Sequence, residues 1–161
     1  MSKKSKTPKS LDRTDRRILE VLQDNGRISN VQLARKVNLT PTPCIERVKR
    51  LERQGYIKGY SAILNPDLVN AGLLVFVEID LSHNSPDAFR RFREEARQLP
   101  EVMDCHLVSG NFDYLIKARV SDMKAYRELL GEKILSLPEV NGSRSYVVME
   151  EVKETLNLPL F

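Results

Sequence analysis

Residues 29–60, SNVQLARKVNLTPTPCIERVKRLERQGYIKGY, decide the reading of this chain. They divide into two helical segments with a short turn between them, then a glycine and the start of an extended run. Ser29 sits where the first helix begins, and Gln32, three residues on, completes a capping-box pattern. Leu33, Ala34 and Val37 give that helix an apolar face, and Asn38 stands where a left-handed C-terminal residue is expected. The second helix is entered through Thr40-Pro41-Thr42-Pro43. A residue before proline resists the α region, so Thr42 is the expected cap and Pro43 the first helical residue. Ile45, Val48 and Leu51 recur at helical spacing and are expected to face inward. Thr42, Glu46, Arg47, Lys49, Arg50 and Arg53 are left for solvent or a polyanion. This is the layout of a helix-turn-helix whose second helix fits a DNA major groove.

Upstream, Leu11-Asp12-Arg13-Thr14-Asp15 opens an earlier helix, with Asp12 as cap and Asp15 near the positive end of the helix dipole. Leu11, Ile18, Leu19 and Leu22 share one face, and Asp24-Asn25-Gly26 supplies turn chemistry. Downstream, Tyr56 to Leu64 reads as extended and suggests a winged variant. Asn65-Pro66-Asp67 and Asn70-Ala71-Gly72 then break the chain. The remainder is regular: a strand at 73–81, a helix at 86–99 entered through Ser85-Pro86, and strands at 102–109 and 114–120 joined as a hairpin. A helix from Met123 to about Leu137 and a last strand within 140–150, centred on Tyr146 to Met149, complete it. The order β-α-β-β-α-β is the ferredoxin-like split motif, with both helices on one face of an antiparallel sheet. An apolar opposite face would favour dimerisation through the sheets. The expected fold is therefore α+β: a flexible basic arm at 1–10, a (winged) helix-turn-helix domain at 11–64, a linker at 65–72, and a βαββαβ domain at 73–161.

The net charge of +4 conceals an asymmetry. Residues 1–58 hold 15 Lys+Arg against 6 Asp+Glu, and the rest hold 11 against 16, so a basic third is joined to an acidic remainder. That division points to a polyanion-binding module attached to a second function; the plainer reading is a solvated surface. No apolar run approaches the roughly 20 residues a bilayer span needs. The N-terminus carries the charge of a signal peptide without an apolar region behind it. The two cysteines, Cys44 and Cys105, fall in different domains, which suits a reduced, cytoplasmic setting. No nucleophile–base pair, glycine-rich phosphate loop or paired acidic motif is present, which argues against an enzyme. Asp104 and His106 share a strand face, but two ligands do not make a metal site.

Four stretches carry a family resemblance: LDRTDRRILEVLQDNGRIS (11–29), LTPTPCIERVKRLERQGYIKGYSAILNP (39–66), CHLVSGNFDYL (105–115) and YVVMEEVK (146–153). From Leu11 to about Lys153 the chain resembles the Lrp/AsnC family of bacterial transcription regulators. The resemblance implies a cytoplasmic, nucleoid-associated regulator that senses an amino acid, leucine first among the candidates, and has no other cofactor. It implies self-assembly into dimers and higher rings, commonly octamers, with effectors held near interfaces between dimers. Carried onto this chain, the effector region falls on Leu107, Ser109, Gly110, Asn111, Phe112, Asp113 and Tyr114, with Met123 and Tyr146-Val147-Val148. Asn111 departs from the family's usual aspartate.

For DNA, Ser29, Asn30 and Gln32 are placed to bond phosphates, as are the N–H groups at that helix start. Thr42, Pro43, Cys44, Glu46 and Arg47 occupy the first turns of the second helix, where side chains reach base edges, with Thr40 and Lys49 flanking them. Arg47 and Arg50 are the candidates for bidentate contact with guanine or phosphate. In the hairpin, turn N–H groups can hold a ligand carboxylate, and Asp113 can accept from an α-ammonium or from a ladder N–H. Gly110-Asn111 is also an ordinary hairpin turn, and Phe112 and Tyr114 are equally at home in a core. Two other functions stand beside a leucine-responsive regulator: an architectural DNA organiser with little effector response, and a metabolite sensor that regulates an enzyme partner.

Overall fold

The structure, a computed structural model, describes residues 10–161, so the arm expected at 1–10 lies outside the described residues but for Ser10. The chain forms two units, one reaching to Ile63 and including Lys153–Phe161, the other Leu64–Val152. The last nine residues belong with the helical unit.

Three helices build that unit: α1 (Arg13–Asp24), α2 (Asn30–Lys36) and α3 (Pro41–Arg53). Both α1 and α2 begin in capping boxes, Asp12 with Asp15 and Ser29 with Gln32, so each satisfies N-terminal N–H groups that would otherwise be orphaned. Asn38 takes the left-handed conformation after α2, at φ 55. The entry to α3 differs from expectation. Thr40 is the cap, Pro41 the first helical residue, and Thr42 is already inside the helix. The first three helical N–H groups have no intrahelical acceptor, so prolines at 41 and 43 remove no hydrogen bond. The helix's first bond runs from the Cys44 N–H to the Thr40 carbonyl at 3.3 Å. Two rings with φ already suited to a helix outweigh the extended preference of the residue between them.

Ile18, Leu19, Leu33, Ala34, Cys44 and Leu51 are buried together, with Val48, Tyr56 and Ile57 half-buried against them. Residues 56–64, expected as a wing strand, pair with no strand among the described residues. The Tyr56 and Ile57 N–H groups instead donate to the Leu51 carbonyl, at 3.0 and 3.4 Å. The C-terminal segment docks on α1: the Gln23 side chain both accepts from the Leu158 N–H (2.6 Å) and donates to its carbonyl (3.1 Å). Asn157 Nδ2 donates to Asp24 Oδ1 at 2.9 Å, and Leu160 packs against the helical core.

The second unit runs β1 (Leu73–Leu81), α4 (Pro86–Ala96), β2 (Val102–Leu107), β3 (Tyr114–Val120), α5 (Met123–Glu128) and β4 (Val140–Val147). After α5 the chain continues in a π-helical segment, Leu129–Ile134. The sheet order is β2-β3-β1-β4, all pairs antiparallel, as the split motif requires. Alternation along the strands sends Val75, Val77, Ile79, Ile116 and Ala118 to one face, where Phe92, Ala96, Tyr126, Leu129 and Ile134 cover them. The other face is mixed. Phe76 and Leu115 lie beside Glu78, Lys117, Arg144 and Tyr146, and the Tyr146 hydroxyl donates to Glu78 Oε1 at 3.0 Å.

Candidate nucleic-acid interface and effector region

One stripe of α3, Cys44, Val48 and Leu51, turns into the core, and the other side presents Thr42, Pro43, Glu46, Lys49 and Arg53 to solvent. Ser29, Asn30 and Gln32 are exposed at the start of α2, and Thr40 is exposed at the start of α3. These residues therefore remain on the surface a duplex would meet. Cys44 does not. It is fully buried, because it lies one turn before Val48 and two before Leu51 on the inward stripe, and burial raises its thiol pKa. It cannot reach a base edge.

Arg47 and Arg50 stand at the border of the two faces, and neither is free. Arg47 Nη1 donates to Asp12 Oδ2 (2.6 Å) and to Asp15 Oδ1 (2.8 Å), and Arg50 Nη2 donates to the same Asp15 oxygen at 2.5 Å. The hydrogen bond from Arg47 holds the Asp12 carboxyl below its usual pKa, and the same bond raises Arg47. Sequence reasoning placed Asp12 and Asp15 only as helix-start residues and missed this link. The available signal was an acidic first turn on α1 in a domain whose remaining helices carry most of the cations.

In the sheet unit the hairpin keeps Leu107, Ser109, Gly110 and Asn111 exposed, with Phe112 and Asp113 half-buried. Tyr114 is in the core, its ring 4.4 Å from Phe92 and 6.1 Å from Phe89, and burial raises its pKa. The first residue of β3 points to the helix-covered face, so Tyr114 is corrected from ligand contact to packing. Asp113 Oδ2 accepts from the Leu81 N–H at 2.8 Å, and the Asp113 N–H donates to the Ile79 carbonyl at 2.9 Å. Of its two expected roles, the ladder one is filled.

The remaining residues expected to hold an effector are elsewhere. β1 pairs Ile79 with Tyr114 at one end, but Leu73 with Val120 and Val75 with Val147 at the other. Tyr146 thus lies at the middle of the sheet, opposite Phe76, with Val147 and Val148 following it away from the hairpin, and Met123 follows β3 at the far end, a strand length of roughly 20 Å from the hairpin. Among the described residues no three of His, Cys, Asp and Glu converge as a metal site, and no helix is long and apolar enough to cross a membrane.

Two family profiles match the chain: a winged helix-turn-helix DNA-binding domain over residues 11–58 and an Lrp/AsnC ligand binding domain over residues 74–158. The leucine-responsive regulatory protein of Klebsiella pneumoniae is 59% identical over 155 residues, 96% of this chain and 94% of that protein. A transcriptional regulator of Neisseria meningitidis, solved as its L-Met complex, superposes with a TM-score of 0.89 at 40% identity, over 93% of this chain and 97% of that one. An AsnC family transcriptional regulator of Agrobacterium tumefaciens gives 0.89 at 36% identity, over 92% and 97%.

Proposed function

The chain belongs to the Lrp/AsnC family of transcription regulators, and from that premise we propose that it binds duplex DNA through α2 and α3 under the control of an amino acid. The observation that carries the reading is the division of α3 into a buried stripe and an exposed polar face within a basic unit. Thr42, Pro43, Glu46 and Lys49 take the groove side, with Thr40, Arg47 and Arg50 at its margin. Ser29, Asn30 and Gln32 hold the phosphate backbone.

Leucine is the first candidate effector, from the relatives of 59% identity, and methionine the second, from the Neisseria regulator's complex. The effector is held by Leu107, Ser109, Gly110, Asn111 and Phe112, with Asp113 fixing the turn beneath it. Met123 and Tyr146-Val147-Val148, which run from the middle of the sheet to its far end, complete the site from another copy of the chain, which ties ligand binding to assembly. The exposed Ile63, Leu64 and Leu68, and the apolar part of the open sheet face, supply surfaces for dimers and for a higher assembly such as an octamer. Linked heads gain avidity on DNA, and an effector that shifts assembly shifts occupancy. Such a protein works in the cytoplasm on the nucleoid.

The test combines sedimentation with duplex-binding titrations over a salt series, alone and with leucine or methionine. Salt-dependent binding with a sedimentation change specific to one amino acid supports the reading. Salt-dependent binding untouched by every amino acid would leave an architectural DNA organiser instead, and no duplex binding at all would sink both.

A further inference from the structure

We propose that Asp15 of α1 is the positioning residue of the DNA interface, fixing Arg47 and Arg50 so that sequence discrimination depends on a side chain that touches no DNA. The inference rests on the DNA-binding reading above. Asp15 is the one buried carboxylate among the described residues, at 3% exposure. Both of its oxygens are engaged. Oδ1 accepts from Arg47 and from Arg50, and Oδ2 lies 3.3 Å from the Asp12 N–H in the capping box that starts α1. The cap therefore helps to hold the carboxylate, which gives up its bond from the Asp12 N–H if it turns away from α3.

The two arginines are held differently. Arg50 buries its Nε without a hydrogen-bond partner among the described residues, so its guanidinium is committed inward as a brace. Arg47 spends only Nη1 on Asp12 and Asp15, and its Nε–Nη2 edge makes no hydrogen bond among the described residues. With the side chain 31% exposed, that edge is the fork that matches guanine or a phosphate. A guanidinium already fixed in direction loses less freedom on binding. The two carboxylates also offset the charge of the two arginines, so the cluster adds little to sequence-independent attraction for phosphate while keeping a directional donor.

Asp15→Asn separates these effects, since it keeps the shape and an acceptor but removes the charge and loosens the grip. The probe is a duplex recovered from a randomised pool by the wild-type full chain, compared with a shuffled duplex of equal length. Expected for Asp15→Asn is tighter binding of the shuffled duplex with a steeper salt slope, and a ratio of preferred to shuffled affinity that falls roughly tenfold. Glu20→Gln makes the same charge change at an exposed site on α1, where Glu20 bonds only Arg17 among the described residues. It should strengthen both duplexes together and leave the ratio alone. Asp12→Asn, which touches Arg47 from a half-exposed position, should lower the ratio in the same direction by less. An unchanged ratio in a folded Asp15→Asn chain overturns the proposal, as does a drop of equal size in Glu20→Gln. Should Asp15→Asn not fold, an unchanged ratio in Asp12→Asn overturns it. A wild-type chain that binds every duplex alike overturns the discrimination claim while sparing the DNA-binding reading, and one that binds none overturns both.

Discussion

In the sheet unit, β1 is hydrogen-bonded along both edges, to β3 and to β4, and one face of that ladder is sealed by Phe92, Tyr126, Leu129 and Ile134. The helical unit has no ladder among its described residues. Its buried cluster is smaller, and its helices are tied by two capping boxes, by the Asp15 link between α1 and α3, and by the docked C-terminal segment. A small core leaves less burial to offset chain entropy, so polar ties carry a larger share of the stability. The comparison teaches that single polar substitutions should act mainly on the unit that meets DNA, while apolar truncations act mainly on the unit proposed to sense the effector.

The sharpest way to break that contrast is Phe92→Ala. Emptying the space beside Tyr114 should cost about 3–5 kcal/mol and unfold the sheet unit in urea, with amide exchange in α1–α3 unchanged. A loss spread evenly over both units would mean the contrast is wrong. Next comes Asp15→Ala, which strands the Arg50 guanidinium and leaves Arg47 with Asp12 alone. Both arginines remain about 30% open to water, so the cost should be near 2–3 kcal/mol rather than the larger value for a fully buried pair, and confined to the helical unit. Thermal unfolding followed by unit-specific amide exchange would check it.

Ending the chain after Glu154 removes the Leu160 contact and the bonds to Gln23 and Asp24, and should cost the helical unit about 1–3 kcal/mol. The same deletion should leave the sheet unit's melting unmoved. Ser29→Ala removes the α2 cap, for about 1 kcal/mol, read as faster exchange in α2 before any change in β1. The smallest effect is on pH. The folded state holds the Asp12 carboxyl below its ordinary value of 3.8, so its contribution is fully present above that value and is lost as pH falls through the lowered one. Acid titration of the helical unit should flatten in Asp12→Asn.

Much of this was legible in the sequence, and the misses have identifiable causes. The caps at Asp12, Ser29 and Ser85 were readable because a cap and its partner lie three residues apart. Thr42 was misplaced because the rule for a residue before proline was applied without the fact that first-turn N–H groups need no acceptor. Cys44 was placed at the DNA surface with the rest of the first turns of its helix, and Tyr114 came with the effector region that the resemblance implies; the helical and strand periods point both inward. The closing segment showed no recognisable pattern in the sequence, and of its leucines only Leu160 packs on the helical core, Leu156 and Leu158 staying exposed.

By itself the sequence determined the element order, both domain types and the exposed polar face of α3, since these rest on periodicity, capping and turn residues within a few positions of each other. The tertiary structure decided that Asp15 grips Arg47 and Arg50, that the last residues pack on α1, and that the residues expected to hold an effector spread from the hairpin along the sheet to its other end. Each of those joins or separates groups more than 30 residues apart, or fixes which end of a strand meets which. Such relations depend on how the chain closes on itself, and local spacing carries no record of that.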